Sequence, residues 1–132
     1  MLENVIEIKQ TGFAFIDFRS IIIRDIHHSI VDAVMRGVHC SLIRELINEF
    51  RFVVINNVLE ENIVMDTIDG HDFTHHRYEH KVFIDEMNAI ENCGQTLLKR
   101  YDRMSLFVGD FYRQHVHQHD VPLAIMSNSY GV

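Results

Sequence analysis

Proline is nearly missing from this chain, with Pro122 its single instance, and tryptophan is absent. Glycine occurs only at positions 12, 37, 70, 94, 109 and 131. So few breakers leave long stretches for helices and disfavour an architecture of many short strands. Two cysteines, Cys40 and Cys93, are too few for a disulfide scaffold, which makes the cytosol the expected compartment. Basic residues are scarce as well: 12 stand against 19 acidic ones, a formal charge of −7. That deficit argues against a nucleic-acid groove, which needs a basic patch or stripe. No apolar run approaches the ~18 residues of a membrane span. The opening MLENVIEIKQ lacks the basic and apolar regions of a signal peptide.

What the chain has in quantity is histidine, 10 in 132 residues, almost as many as lysine and arginine together. Histidine is the commonest metal-ligand side chain and the one that titrates near neutrality. Hydrophobic residues make up 47%, enough for a packed core in a single domain over residues 1–132.

The hydrophobic spacing predicts four helices, at about 20–36, 41–67, 72–92 and 95–119. Ser20 can cap the first and Gly37 can close it. Ile43, Leu46, Ile47, Phe50, Val53, Val54, Val58 and Met65 recur at three- and four-residue steps along the second. Phe73, Phe83, Ile84, Met87 and Ile90 form the stripe of the third, and Leu97, Tyr101, Met104, Val108 and Phe111 that of the fourth. Pro122 is expected to stop the fourth helix. Long helices joined by short turns make an all-α, antiparallel up-down-up-down four-helix bundle. Residues 1–19 are expected to form an extended arm packed on it. The triple Ile21, Ile22 and Ile23 leaves the start of the first helix soft.

Certain polar residues share the apolar stripes. Asn57 and Glu61 are one turn apart on the second helix, and His76 and His80 one turn apart on the third. His115 continues the row of Val108 and Phe111, with Asp120 five residues beyond. On the first helix His28 is read on the side of Ile21, Val31 and Met35. A buried ionised carboxylate is costly unless it is paired or binds a metal. Two inward carboxylates with several inward imidazoles therefore suggest a metal centre, and that donor set suits a pair of iron or manganese ions. Taken singly, each histidine is more often a hydrogen-bonded core residue. The remaining histidines, His27, His39, His71, His75, His117 and His119, are read as peripheral, with a surface zinc site in HVHQHD a remote option.

At these residues the chain resembles the hemerythrin family, bacterial hemerythrin-like domains in particular, over about residues 12 to 123. The pieces are D-x-x-H as Asp25 to His28, E-x-x-x-M as Glu61 to Met65, H-x-x-x-H-x-x-F as His76, His80 and Phe83, and H-x-x-x-x-D as His115 and Asp120. The resemblance implies a non-heme diiron centre bridged by an oxo or hydroxo group and two carboxylates. His76, His80 and His115 would hold one iron, His28 part of the second, and Glu61 and Asp120 would bridge. It implies reversible binding of dioxygen, or a related small diatomic ligand, for carriage, storage or sensing rather than turnover. Where the family has a second histidine for the second iron, this chain has Asn57, so that iron is expected to be held loosely. Tyr112 and Phe111 would line the ligand pocket; the family more often has an aliphatic residue and tryptophan at these two positions. The opened second iron and the nearby phenol make a redox enzyme acting on peroxide or nitric oxide the first alternative. A metal-binding signalling module without gas chemistry is the second.

Overall fold

A computed structural model describes residue 6, residue 8 and residues 10–127. Four helices form a bundle: α1, Ala14–Met35; α2, Cys40–Asp66; α3, Thr74–Glu91; and α4, Leu97–His115. A π-turn, Val116–Asp120, follows α4 directly and leads into α5, Val121–Met126. The connections 36–39, 67–73 and 92–96 are short, so consecutive helices run back and forth. Among the described residues no helix is long and apolar enough to cross a membrane.

The helix ends follow from local chemistry. Gly37 adopts φ +68°, a conformation that costs it nothing for want of a Cβ. There its N–H donates to the Val34 carbonyl (3.1 Å) and the Val38 N–H donates to Ala33 (3.0 Å), the paired closure that ends many helices. His39 then caps α2, its Nδ1 accepting from the Ser41 N–H at 3.1 Å. Thr96 caps α4 through the Lys99 N–H.

Two boundaries depart from the sequence expectation. The first helix starts at Ala14, six residues early, and Ser20 lies inside it, donating to the Ile16 carbonyl rather than capping. Asp17 explains the early start. Its carboxylate accepts from the Thr11 N–H and hydroxyl and from the Gly12 N–H, so the chain turns into the helix there. The arm is therefore shorter than expected; its residues 1–5, 7 and 9 lie outside the described residues, while Ile6 is fully buried. At the other end Pro122 does not stop the fourth helix. It occupies the first turn of α5, where its missing N–H is harmless.

The core is a continuous column. Ile23, Ile30, Phe50, Val54, Phe83, Met87, Tyr101, Met104 and Val108 are essentially inaccessible. Back-and-forth topology brings four segments to one end of this column: the start of α1, the end of α2, the start of α3, and the end of α4 with its π-turn.

Candidate metal centre

At that end five polar side chains are buried together: Glu61 from α2, His76 and His80 from α3, His115 from α4, and Asp120 from the π-turn. Glu61 Oε1 is 3.1 Å from His76 Nε2, 3.1 Å from His80 Nε2 and 3.4 Å from His115 Nε2. His115 Nε2 in turn lies 3.1 Å from His76 Nε2 and 3.0 Å from His80 Nε2. Four ligand-type atoms, one each from Glu61, His76, His80 and His115, thus converge on one point.

The outward ring nitrogens say what the inward ones offer. His80 Nδ1 is 2.7 Å from Asn62 Oδ1, and His115 Nδ1 is 3.0 Å from Glu79 Oε1. Both partners are acceptors, which assigns the Nδ1 atoms a proton and leaves the Nε2 lone pairs facing inward. Lone pairs meeting one another and a carboxylate repel unless a cation lies between them. Bonds of about 2.1 Å place neighbouring ligands roughly 3.0–3.4 Å apart, which is the spacing found. The cluster can therefore hold a metal ion.

Without a cation the same demand is met by protons. Burial alone would push Glu61 up, but the His115, His76 and His80 rings hold its carboxyl well below the ordinary range. Desolvation would lower His115, yet Asp120 and Glu61 outweigh it and push the ring up to about 10. Burial moves His76 and His80 down, and burial together with the Glu61 charge moves Asp120 well up. A proton on His115 thus offsets part of a charge that a metal ion can take over.

The π-turn accounts for Asp120. On a regular α-helix a residue five positions on points about 140° away. Here the Val121 N–H reaches back to the Val116 carbonyl, and the underwound turn swings Asp120 round to the His115 side. Asp120 Oδ1 comes within 3.1 Å of His115 Nε2 and 3.9 Å of His76 Nε2. Such single π-turns inside helices are often found at functional sites.

Three sequence-level assignments change. His28 does not reach the cluster: it is exposed on α1, as are Ile21 and Met35, which it was expected to accompany inward. The buried face instead carries Ile16, Arg19, Ile23, His27, Ile30 and Ala33. His27 is the inward histidine, but its Nδ1 meets the Tyr101 hydroxyl at 2.5 Å, and its ring stacks on Tyr101 beside Phe50. It sits eight residues, about 12 Å along the axis, from the α1 residue that does reach the cluster.

That residue is Arg19. It is 8% exposed, and its Nη1 lies 3.6 Å from Glu61 Oε2, the oxygen turned away from the histidines. Its Nη2 donates to the Asn57 backbone carbonyl. Asn57 is buried near Tyr112, as a register one turn before Glu61 requires, but a guanidinium shares that position. Arg19, Tyr112 and Asp120 line a cavity of about 10 Å³, the scale of one water molecule. The Tyr112 hydroxyl and Asn57 Nδ2 are buried beside each other, and burial raises the Tyr112 hydroxyl well above its ordinary pKa. Phe111 stacks face to face on the His115 ring, centroids 4.5 Å apart, and fixes its plane. Sequence reasoning missed Arg19 because it fell in the expected arm. The steps from Ile16 to Arg19, Ile23, His27 and Ile30 were the available signal.

No family model, curated protein or solved structure matches the chain.

Proposed function

We propose that the chain is a hemerythrin-like non-heme iron protein that binds dioxygen, or a related diatomic ligand, at one buried iron. The observation carrying this reading is the convergence of three imidazole nitrogens and the Glu61 carboxylate at 3.0–3.4 Å. Imidazole and carboxylate together suit iron, and the absence of thiolate disfavours a structural zinc site. Bound ferrous iron supplies the reducing electron density that a diatomic ligand needs.

The chain's own residues do the rest. Glu79 and Asn62 orient His115 and His80 through their Nδ1 atoms. Asp120 stands beside His115 as a further carboxylate. Arg19 and Tyr112 bring hydrogen-bond donors to the small cavity on the other side of Glu61. A diiron centre of the hemerythrin type would need ligands where Arg19 and Asn57 stand, so the reading adopted has one iron, with the Arg19 guanidinium as the second positive charge.

Iron analysis together with visible spectra under air and under reductant tests the reading. One iron per chain, with an absorption band that appears with oxygen and disappears when oxygen is removed, is expected. Protein that takes up no iron, or whose spectrum ignores oxygen, contradicts it. The buried Tyr112 hydroxyl, beside the cavity lined by Arg19 and Asp120, favours a second reading, redox turnover of peroxide or nitric oxide. Sustained consumption of either, lost in Tyr112→Phe, would select that reading.

A further inference from the structure

Above the buried centre lies a second group of ligand-type side chains, His75, Glu79 and His119. α3 places His75 and Glu79 one turn apart, and the π-turn carries His119 across to them. Glu79 Oε2 is 2.9 Å from His75 Nε2 and 3.0 Å from His119 Nε2. The rings of His75 and His119 are 5.3 Å apart. Both imidazoles thus address a single carboxylate oxygen from two different elements. His75 and His119 border an open cavity of about 170 Å³, also lined by His71, Asp72 and the buried His76. The His75 side chain is 74% exposed, so a hydrated ion can arrive from solvent.

We propose that His75, Glu79 and His119 form a second metal site, at the mouth of the buried centre, that takes a divalent zinc-class cation. Two imidazoles and one carboxylate are a donor set that zinc accepts, with room in the open cavity for water to complete the coordination. The spacings of 2.9–3.0 Å are near those of ligands that share an ion with bonds of about 2.0–2.1 Å. The carboxylate is also shared between the sites. Glu79 Oε1 holds the Nδ1 proton of His115, while Oε2 faces the rim histidines. A cation on Oε2 draws charge from the carboxylate that orients His115, so filling the rim weakens the grip of the buried site. The rim site does not depend on the iron or dioxygen reading, since it uses different ligands.

The experiment is a zinc chloride titration of the metal-free full-length chain by calorimetry, with bound zinc counted by elemental analysis. The wild-type chain is expected to bind two ions, H75A/H119A one, and H80A one. A single ion in the wild type that H75A/H119A retains and H80A loses overturns the rim site and leaves the buried one intact. A single ion lost in H75A/H119A and kept in H80A supports the rim site and shows that the buried centre does not take zinc. No bound zinc overturns both as zinc sites. Should the double variant lose helical circular dichroism, H75A alone replaces it, since that side chain is mostly solvated; an unchanged count of two in H75A with unchanged affinity overturns the rim site.

Discussion

Arg19 is the residue on which the character of the buried centre turns. A buried guanidinium beside Glu61 serves as a fixed cation, and removing one member of a buried pair leaves the other uncompensated. Arg19→Met should therefore destabilise the metal-free chain by about 3 kcal/mol in urea unfolding, with Arg19→Lys intermediate because it loses the forked geometry. A loss below about 0.5 kcal/mol, the scale of an exposed pair, would mean that Arg19 is not integral. Asn57→His alone should leave iron content at one per chain, because the guanidinium still stands beside it; a second iron would contradict that placement. The placements of Glu61, His76, His80 and His115 were legible because each continued an apolar row on a helix with one clear face; Asp120, five residues past His115, lay off that row and was pointed to by the resemblance alone. His28 was misplaced because Ile21, Ile22 and Ile23 offer three possible faces. The choice of Ile23 turns His27 inward and His28 out.

At the scale of elements, the two middle helices were legible from glycine and apolar spacing, while α1 starts six residues early and α4 runs on through the π-turn into α5. The π-turn was not, since nothing in VHQHD distinguishes it from an α-helical run that Pro122 should end. The same underwinding presents Asp120 to one centre and His119 to the rim. Deleting exposed Gln118 should remove the extra residue of the π-turn: in the regular helix that results Asp120 stands four residues after His115, on the same side, and Leu123 and Ala124 keep their places on the core. Iron retention and melting temperature close to those of the parent chain are expected, and a marked loss of either would show that the π geometry itself is needed to place Asp120. The start of α1 makes a second case. The Thr11 and Gly12 hydrogen bonds overcome burial and lower the Asp17 pKa, so its stabilisation exists above the unfolded value of 3.8 and fades as pH falls below it. Asp17→Asn should cost roughly 1 kcal/mol at pH 7 and less near pH 3. Equal costs at both values would mean that the charge does not hold the turn.

For the whole molecule, the bundle follows from sparse breakers and four amphipathic runs, and the gathering of Glu61, His76, His80 and His115, which could hold a metal ion, at one end follows from its topology. The metal-free form has a distinctive pH dependence. His115 is pushed up to about 10 from 6.5, so its stabilisation is complete below about pH 6.5 and is lost as pH rises toward 10. Melting temperatures of the metal-free chain should fall across that window, and those of the iron-loaded chain should not. Iron at a hundredfold excess over its dissociation constant should add about 2.7 kcal/mol, because it binds only the folded state. Coincident melting curves with and without iron would mean that no metal is bound to the native fold.

X-ray absorption at the iron edge of the loaded, full-length chain tests the centre most directly. One iron held by His76, His80, His115 and Glu61 should give a first shell of nitrogen and oxygen only, outer-shell scattering from about three imidazoles, and no neighbouring iron. A sulfur shell, fewer than two imidazoles, or a second iron within bridging distance would contradict a single iron held by three histidines and a glutamate beside Arg19.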